Sequence, residues 1–284
     1  MMNQKYSTKK EILMNVIGIV LTAIFLFPLY WMVVTSLKSP TEIFATPPTL
    51  WPKEISIAGY VSQFFGGQGD SYGVPTYFLN SVILSLGTTI ISLILGNTAA
   101  YGLARFHIFG KKAIILFILI TQMLPNSLLL TPMFIIFKKF GILNTYMAVI
   151  IADATMTVPF SILTLRPYYL GTIIELEEAA RIDGCGRFGV FMRIVIPTSY
   201  PGIIVAAAFS FLMSWGNLMY PLTFISDGSK WPMTIEMYKA IGQYGTRWDS
   251  LMAFATIVVL PVMIIFIFLQ RYMIAGLTSG SVKE

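Results

Sequence analysis

Six stretches of this chain are each long and apolar enough to cross a lipid bilayer: residues 12–37, 78–103, 113–137, 146–165, 200–222 and 251–269. A hydrocarbon core of about 30 Å calls for roughly 20 residues of helix. The runs are long and do not alternate in polarity, so they read as helices rather than as barrel strands. Pro28, Pro125, Pro132, Pro159, Pro201, Pro221 and Pro261 fall inside or near the ends of these stretches. Membrane helices tolerate proline where neighbouring helices re-satisfy the freed backbone groups, and some of these positions are expected to kink. Charge agrees with the reading. Only 11% of residues are charged and 56% are hydrophobic, whereas a soluble domain carries about 25% charged residues. Cys185 is the one cysteine, which leaves no intrachain disulfide and no cysteine-rich zinc site. The expected fold class is all-α integral membrane, with six transmembrane helices.

The first stretch follows Lys5, Lys9 and Lys10, as a signal peptide would. Its apolar run is longer than an h-region of about 7–15 residues, and Trp31-Met32-Val33-Val34 stands where a small-x-small cleavage site would be. It reads as a retained helix. Six spans put both ends on one side. The ends and even-numbered loops hold 12 Lys and Arg residues, and the odd-numbered loops hold 7. The positive-inside rule then places both termini in the cytoplasm. The net charge of +6 therefore reports topology, and no nucleic-acid partner is expected. The expected organisation is an N-terminal transmembrane helix with an extracytoplasmic loop (1–77), a core of five helices (78–271) containing a cytoplasmic loop (166–199), and a cytoplasmic tail (272–284). No internal repeat is visible.

Charge concentrates in that loop. Glu175, Glu177, Glu178, Arg181, Asp183, Arg187 and Arg193 lie within GTIIELEEAARIDGCGRFGVFMRIVIPTSYPG, residues 171–202. Thr172 and Glu175 fit a capping box, predicting a helix over 173–183. Glu177 and Arg181 are spaced for an i,i+4 pair, and Gly184 stands where a left-handed residue ends a helix. Phe188, Phe191, Met192 and Val195 form an apolar stripe at helical spacing, which Pro197 closes. The small pair Ala179–Ala180 offers a face for close approach. On these residues alone the loop is either a solvated amphipathic hairpin or a docking knob for another protein.

The loop resembles the EAA motif of bacterial ABC importer permeases, carried here by Glu178, Ala179, Ala180, Gly184, Ile194 and Pro197. Asp183 also fits, and Ile196 stands where the family usually has Leu. PLYWMVVTSLKSPTEIFATPP (28–48), NTAAYGLARFHIFGKK (97–112), MLPNSLLLTPMF (123–134), FGILNT (140–145) and SWGNLMYPL (214–222) resemble segments of the carbohydrate-importer permeases. The ending QRYMIAGLTSGSVKE (270–284) resembles the subunit type typified by the maltose-importer G permease. The resemblance implies a type I ABC importer permease fold with a cytoplasmic coupling helix. It also implies binding-protein-dependent uptake of a sugar or oligosaccharide across a bacterial cell membrane by alternating access. A second permease, two cytoplasmic ATPase subunits and an extracytoplasmic solute-binding protein would complete the complex. Glu178, Ala179, Ala180, Asp183, Gly184, Ile194 and Pro197 are then the expected ATPase-coupling residues.

Catalytic chemistry is not expected. His107 is the one histidine, which leaves no material for a His-based triad or a multi-His metal site. No phosphate-binding loop of the form G-x-x-x-x-G-K-[ST] is present, so ATP and Mg are expected in partner subunits and no cofactor on this chain. Polar and aromatic residues at membrane depth are candidates for the sugar path: Gln122, Asn126, Ser127, Asp153, Trp215, Asn217 and Tyr220. Each can equally serve helix–helix hydrogen bonding. Asp153 departs from the family pattern, which has an uncharged residue there. Two alternatives remain: an ion-coupled secondary carrier with Asp153 as the ion site, and a membrane scaffold that does not transport.

Overall fold

The computed structural model describes residues 8–64, 72–171, 174–239 and 247–279. Every regular element among them is helical. Four helices are long and apolar enough to cross a membrane without interruption: α1 (Thr8–Ser36), α2 (Gly73–Arg105), and two later ones, Tyr146–Gly171 and Trp248–Ser279. Two bent pairs bring the number of spans to six where each pair crosses once.

The first bent pair revises the third expected span. Residues 113–137 are two helices, α3 (Lys111–Thr121) and α4 (Asn126–Lys139), meeting at 98°. Pro125 has no N–H and disfavours a helical conformation at Leu124, so the ladder stops there. Pro125 then adopts an extended conformation as the residue before α4. Gln122, at the bend, donates through Nε2 to the Met156 carbonyl at 3.1 Å. By contrast, α5 (Tyr146–Gly171) is one helix despite Pro159 and Pro167 within it.

The fifth expected span is also shorter than its apolar run. After α6 (Ile174–Ile182) and a short irregular helical segment, α7 runs from Tyr200 to Trp215. It meets the preceding segment Arg187–Thr198 at 81°. Gly216 caps it, and the chain resumes as α8 (Met219–Phe224). The last long helix is α9 (Trp248–Ser279), with Pro261 inside it.

Contacts divide the chain into two compact units: residues 1–73 with 239–259, and residues 74–238 with 260–284. In the first unit, α1 is apolar on all sides and exposed throughout residues 10–28, the pattern of a helix that meets lipid or other helices. Its C-terminal end is anchored. Ser36 and Tyr60 share a hydrogen bond of 2.7 Å, and Lys38 lies over the Trp31 ring at 4.5 Å while donating to the Thr49 carbonyl.

The second unit is organised around α5, which buries Ala148, Val149, Ala152, Thr157, Ser161 and Leu165 among other residues. Small residues let neighbours approach closely. A Cβ at Gly96 of α2 would lie 2.6 Å from the Ser161 Cβ, so only glycine permits that crossing. Hydroxyl pairs join α2 to α5, α2 to α7 and α5 to α7: Ser92 with Thr157 at 2.5 Å, Thr88 with Ser214 at 3.3 Å, and Ser161 with Ser210 at 3.5 Å.

Candidate functional site

Two places in the second unit hold the residues that the sequence singles out. The first is the loop that follows α5. Its helix α6 covers residues 174–182 of the expected 173–183. Thr172, half of the expected capping box, lies outside the described residues. The far end is capped as expected: Gly184 has φ +86°. The Cys185 N–H reaches the Ala180 carbonyl at 2.9 Å, and the Gly184 N–H reaches Arg181 at 3.1 Å. These are the backbone bonds of a left-handed helix terminus. No atom lies within 4 Å of a Cβ built at Gly184, so glycine is required there by backbone conformation and not by space.

The two faces of α6 differ. Glu178, Ala179, Ile182 and Asp183 are exposed together, Ile182 to 86%. Glu177 and Ala180 point inward. The Glu177 carboxylate accepts from Arg105 Nε at 2.7 Å and from the Tyr101 hydroxyl at 3.0 Å. The expected i,i+4 pair with Arg181 gives way to this buried pair on the last turns of α2. The reason is geometric: Glu177 lies three residues before Ala180, on the buried stripe, whereas Arg181 is exposed.

The apolar stripe that follows also divides. Phe191 and Val195 are buried, but Phe188 and Met192 are exposed. Residues Phe191–Val195 form a π-helical turn, whose wider winding breaks the i, i+3, i+4, i+7 register. Val190, Phe191 and Val195 instead close around Tyr101, Tyr169 and Ala180 in one apolar cluster. Tyr101 lies 4.9 Å from the Phe191 ring, centre to centre.

Of the expected coupling residues, Glu178, Ala179, Asp183 and Gly184 therefore share the exposed end of α6. Ala180 faces the interior, Ile194 is half-buried, and Pro197 is exposed on the return segment. Ile182, Glu177, Tyr101 and Arg105 complete the assembly and were not singled out as coupling residues. Glu177 and Ala180, three apart on one helix face, carried a signal: an acid on a stripe that otherwise turns inward.

The second place is a cleft of about 430 Å³ lined by Asn126, Asp153, Asn217 and Tyr220, with Met156, Thr157 and the turn after α7. Asp153 is 3% exposed. Its Oδ2 accepts from the Ser214 hydroxyl at 2.5 Å and its Oδ1 from Asn217 Nδ2 at 2.6 Å. Asn217 in turn accepts from the Tyr220 N–H at 3.3 Å. Four of the seven path candidates thus meet at one cleft. Gln122 bonds to Met156 beside it. Trp215 is buried against Phe78 and Phe211, and Ser127 is exposed away from the lining. Ser214 and Thr88 are the partners that the sequence did not reveal, because a hydroxyl in an apolar helix gives no sign of which neighbour it meets.

The profile of binding-protein-dependent transport system inner membrane components matches residues 92–279, which include both places. The chain belongs to this family. The permease is 35% identical over 260 residues to a probable ABC transporter permease, YurM, of Bacillus subtilis (strain 168), covering 90% of this chain and 83% of the relative. It is 33% identical over 259 residues to the arabinooligosaccharide transport permease AraQ of Halalkalibacterium halodurans, covering 90% and 91%. Its fold matches a chain of a bacterial ABC transporter involved in alginate import with a TM-score of 0.80 at 20% identity, covering 94% of this chain and 98% of that one. The permease accordingly has the all-α fold of an ABC importer's membrane subunit and is a multi-pass membrane protein.

Proposed function

We propose that this permease is one of two membrane subunits of an ABC importer for a sugar or oligosaccharide, worked through the exposed end of α6 by ATPase subunits in the cytoplasm. The observation that carries the proposal is the pairing of a rigidly held helix with an outward tip. Ile182 projects between Glu178, Ala179 and Asp183, while Gly184 ends the helix and Glu177 and Ala180 fix its inner face. An apolar knob ringed by acids suits a groove with an apolar floor and a basic rim. The basic residues of the sequence support placing this loop and both termini in the cytoplasm.

In this reading ATP and Mg are bound by the partners, and this chain contributes no catalytic, cofactor or metal-binding group. Closure of ATP-bound partners shifts the permease between inward- and outward-facing states only because those partners bind the two states with different free energies. A solute-binding protein delivers the sugar from outside. The cleft at Asn126, Asp153, Asn217 and Tyr220 is its proposed path, since amides and an aromatic ring together suit hydroxyls and the apolar faces of a sugar ring. The names of the relatives support the sugar class.

The test is copurification and uptake. In mild detergent the wild-type chain is expected to bring down a second permease and ATPase subunits, and reconstituted vesicles are expected to show ATP-dependent sugar uptake. Ile182→Asp places a charge at the knob and should weaken ATPase capture by about tenfold or more, as a truncated interface anchor does. Undiminished capture by that variant would sink the docking assignment.

A further inference from the structure

We propose that Glu177 is a positioning residue for transport: with Arg105 and Tyr101 it forms a joint that makes α2 a third lever between the docking helix and the cleft. This rests on the assignment of α6 as the docking helix and concerns a different face of it. The chain already continues from α5 into α6 and onward towards α7, so movement of α6 reaches those helices along the backbone. No such continuity exists for α2, whose last turn lies more than 60 residues away in sequence. What joins them is side-chain chemistry.

Glu177 is 4% exposed and Arg105 10% at the side chain, and they meet at 2.7 Å. Tyr101 supplies a second hydrogen bond to the other carboxylate oxygen. Both donors belong to the last turns of α2. A buried, charge-assisted pair with both carboxylate oxygens held resists rotation better than an apolar contact, because sliding it by one residue leaves a charge without its partner. Tyr101 is gripped from the other side by Phe191, with Tyr169 edge-on at 6.1 Å.

The other end of the lever is at the cleft. Thirteen residues before Tyr101 on the same helix stands Thr88, about 20 Å away along the helix axis. Thr88 shares a 3.3 Å hydrogen bond with Ser214, whose hydroxyl donates to Asp153 in the cleft wall. A displacement of α6 therefore arrives at the acceptor side of the cleft through α2 as well as through α5 and α7. Glu177 sits where that route begins.

The experiment uses the whole importer, with both permeases, the ATPases and the solute-binding protein, reconstituted in vesicles. Two variants are compared with the wild type: Glu177→Gln, and the apolar pair Glu177→Leu with Arg105→Met. Expected is capture of the ATPases at wild-type stoichiometry, with sugar moved per ATP hydrolysed falling by about tenfold, the usual scale of a coupling free energy. A merely structural role would change the yield of complex and leave that ratio alone. A wild-type ratio in either assembled variant overturns the proposal, and so does loss of assembly in both. Failure of the wild-type chain to bind ATPases at all would instead overturn the docking assignment.

Discussion

Among the described residues, two carboxylates lie buried in the larger unit, and they are held in opposite ways. Glu177 is matched by a guanidinium and a phenol on one neighbouring helix. Asp153, about equally buried, receives only neutral donors, the Ser214 hydroxyl and the Asn217 amide. A charge balanced by a fixed countercharge is a joint, because either partner alone is expensive to bury. An acid held by neutral donors on a cleft wall keeps partners that can exchange with an incoming hydroxyl at little cost. The first arrangement suits transmitting motion, and the second suits meeting a succession of polar solutes.

The comparison can be broken by mutation, and the largest effect is expected at the joint. Glu177→Ala leaves the Arg105 guanidinium buried without its carboxylate and should destabilise the purified chain by about 3 kcal/mol or more. The apolar pair Glu177→Leu with Arg105→Met should recover most of that loss, giving a stable but poorly coupled permease. Unfolding in detergent measures both. If the single and double variants unfold alike, the countercharge is not what distinguishes the two acids.

A smaller effect is expected at the cleft. Asp153→Leu removes the acceptor of Ser214 and Asn217 and should cost about 2 kcal/mol. Asp153→Asn preserves the shape and one acceptor and should stay within about 1 kcal/mol of wild type. Its uptake kinetics, measured against sugar concentration, should change through KM. Unaltered uptake and assembly with Asp153→Asn would remove that residue from the sugar path.

The smallest effect is at the surface and sharpens the contrast by lacking burial. Asp227 accepts from the Ser229 N–H at 3.0 Å and hydroxyl at 2.7 Å and pairs with Lys230 at 3.2 Å. The Ser229 hydroxyl and N–H, then Lys230, hold its carboxyl below the usual carboxylate range. A depressed carboxylate stabilises the folded turn above its unfolded pKa, near about 4, and that contribution fades as pH falls through the lower folded value. Amide exchange at Ser229 should therefore be insensitive to pH above about 5, once intrinsic exchange is divided out, and lose protection only in stronger acid. Protection that fell between neutrality and pH of about 6 would contradict the assignment.

Much of the fold was legible because lipid imposes so simple a rule. Long apolar runs marked α1, α2, α5 and α9, and the EAA spacing marked the loop around Glu178. What escaped was decided across space. The break at Gln122–Pro125 needed the knowledge that one proline among several would end a helix, whereas Pro159 would not. The exposure of Phe188 and Met192 needed the π-turn, which no periodicity argument foresees. Ser214, Thr88 and Arg105 acquired meaning only when another helix brought its acid to them. Glu177 was read as one half of an i,i+4 pair because the sequence shows Arg181 four residues on and gives no sign of the Arg105 that another helix brings to it.

The length of α2 has one more consequence. Its 33 residues make a rod of about 50 Å, against a hydrocarbon core of about 30 Å. The excess must be taken up by leaning or by protruding, and the balance depends on how thick the surrounding lipid is. Because the Arg105 end is fastened to Glu177, it is not free to slide when the bilayer thickens. Acyl-chain length thereby becomes a mechanical load on α6, and under the proposed docking role the membrane takes part in setting how far that helix must be pushed.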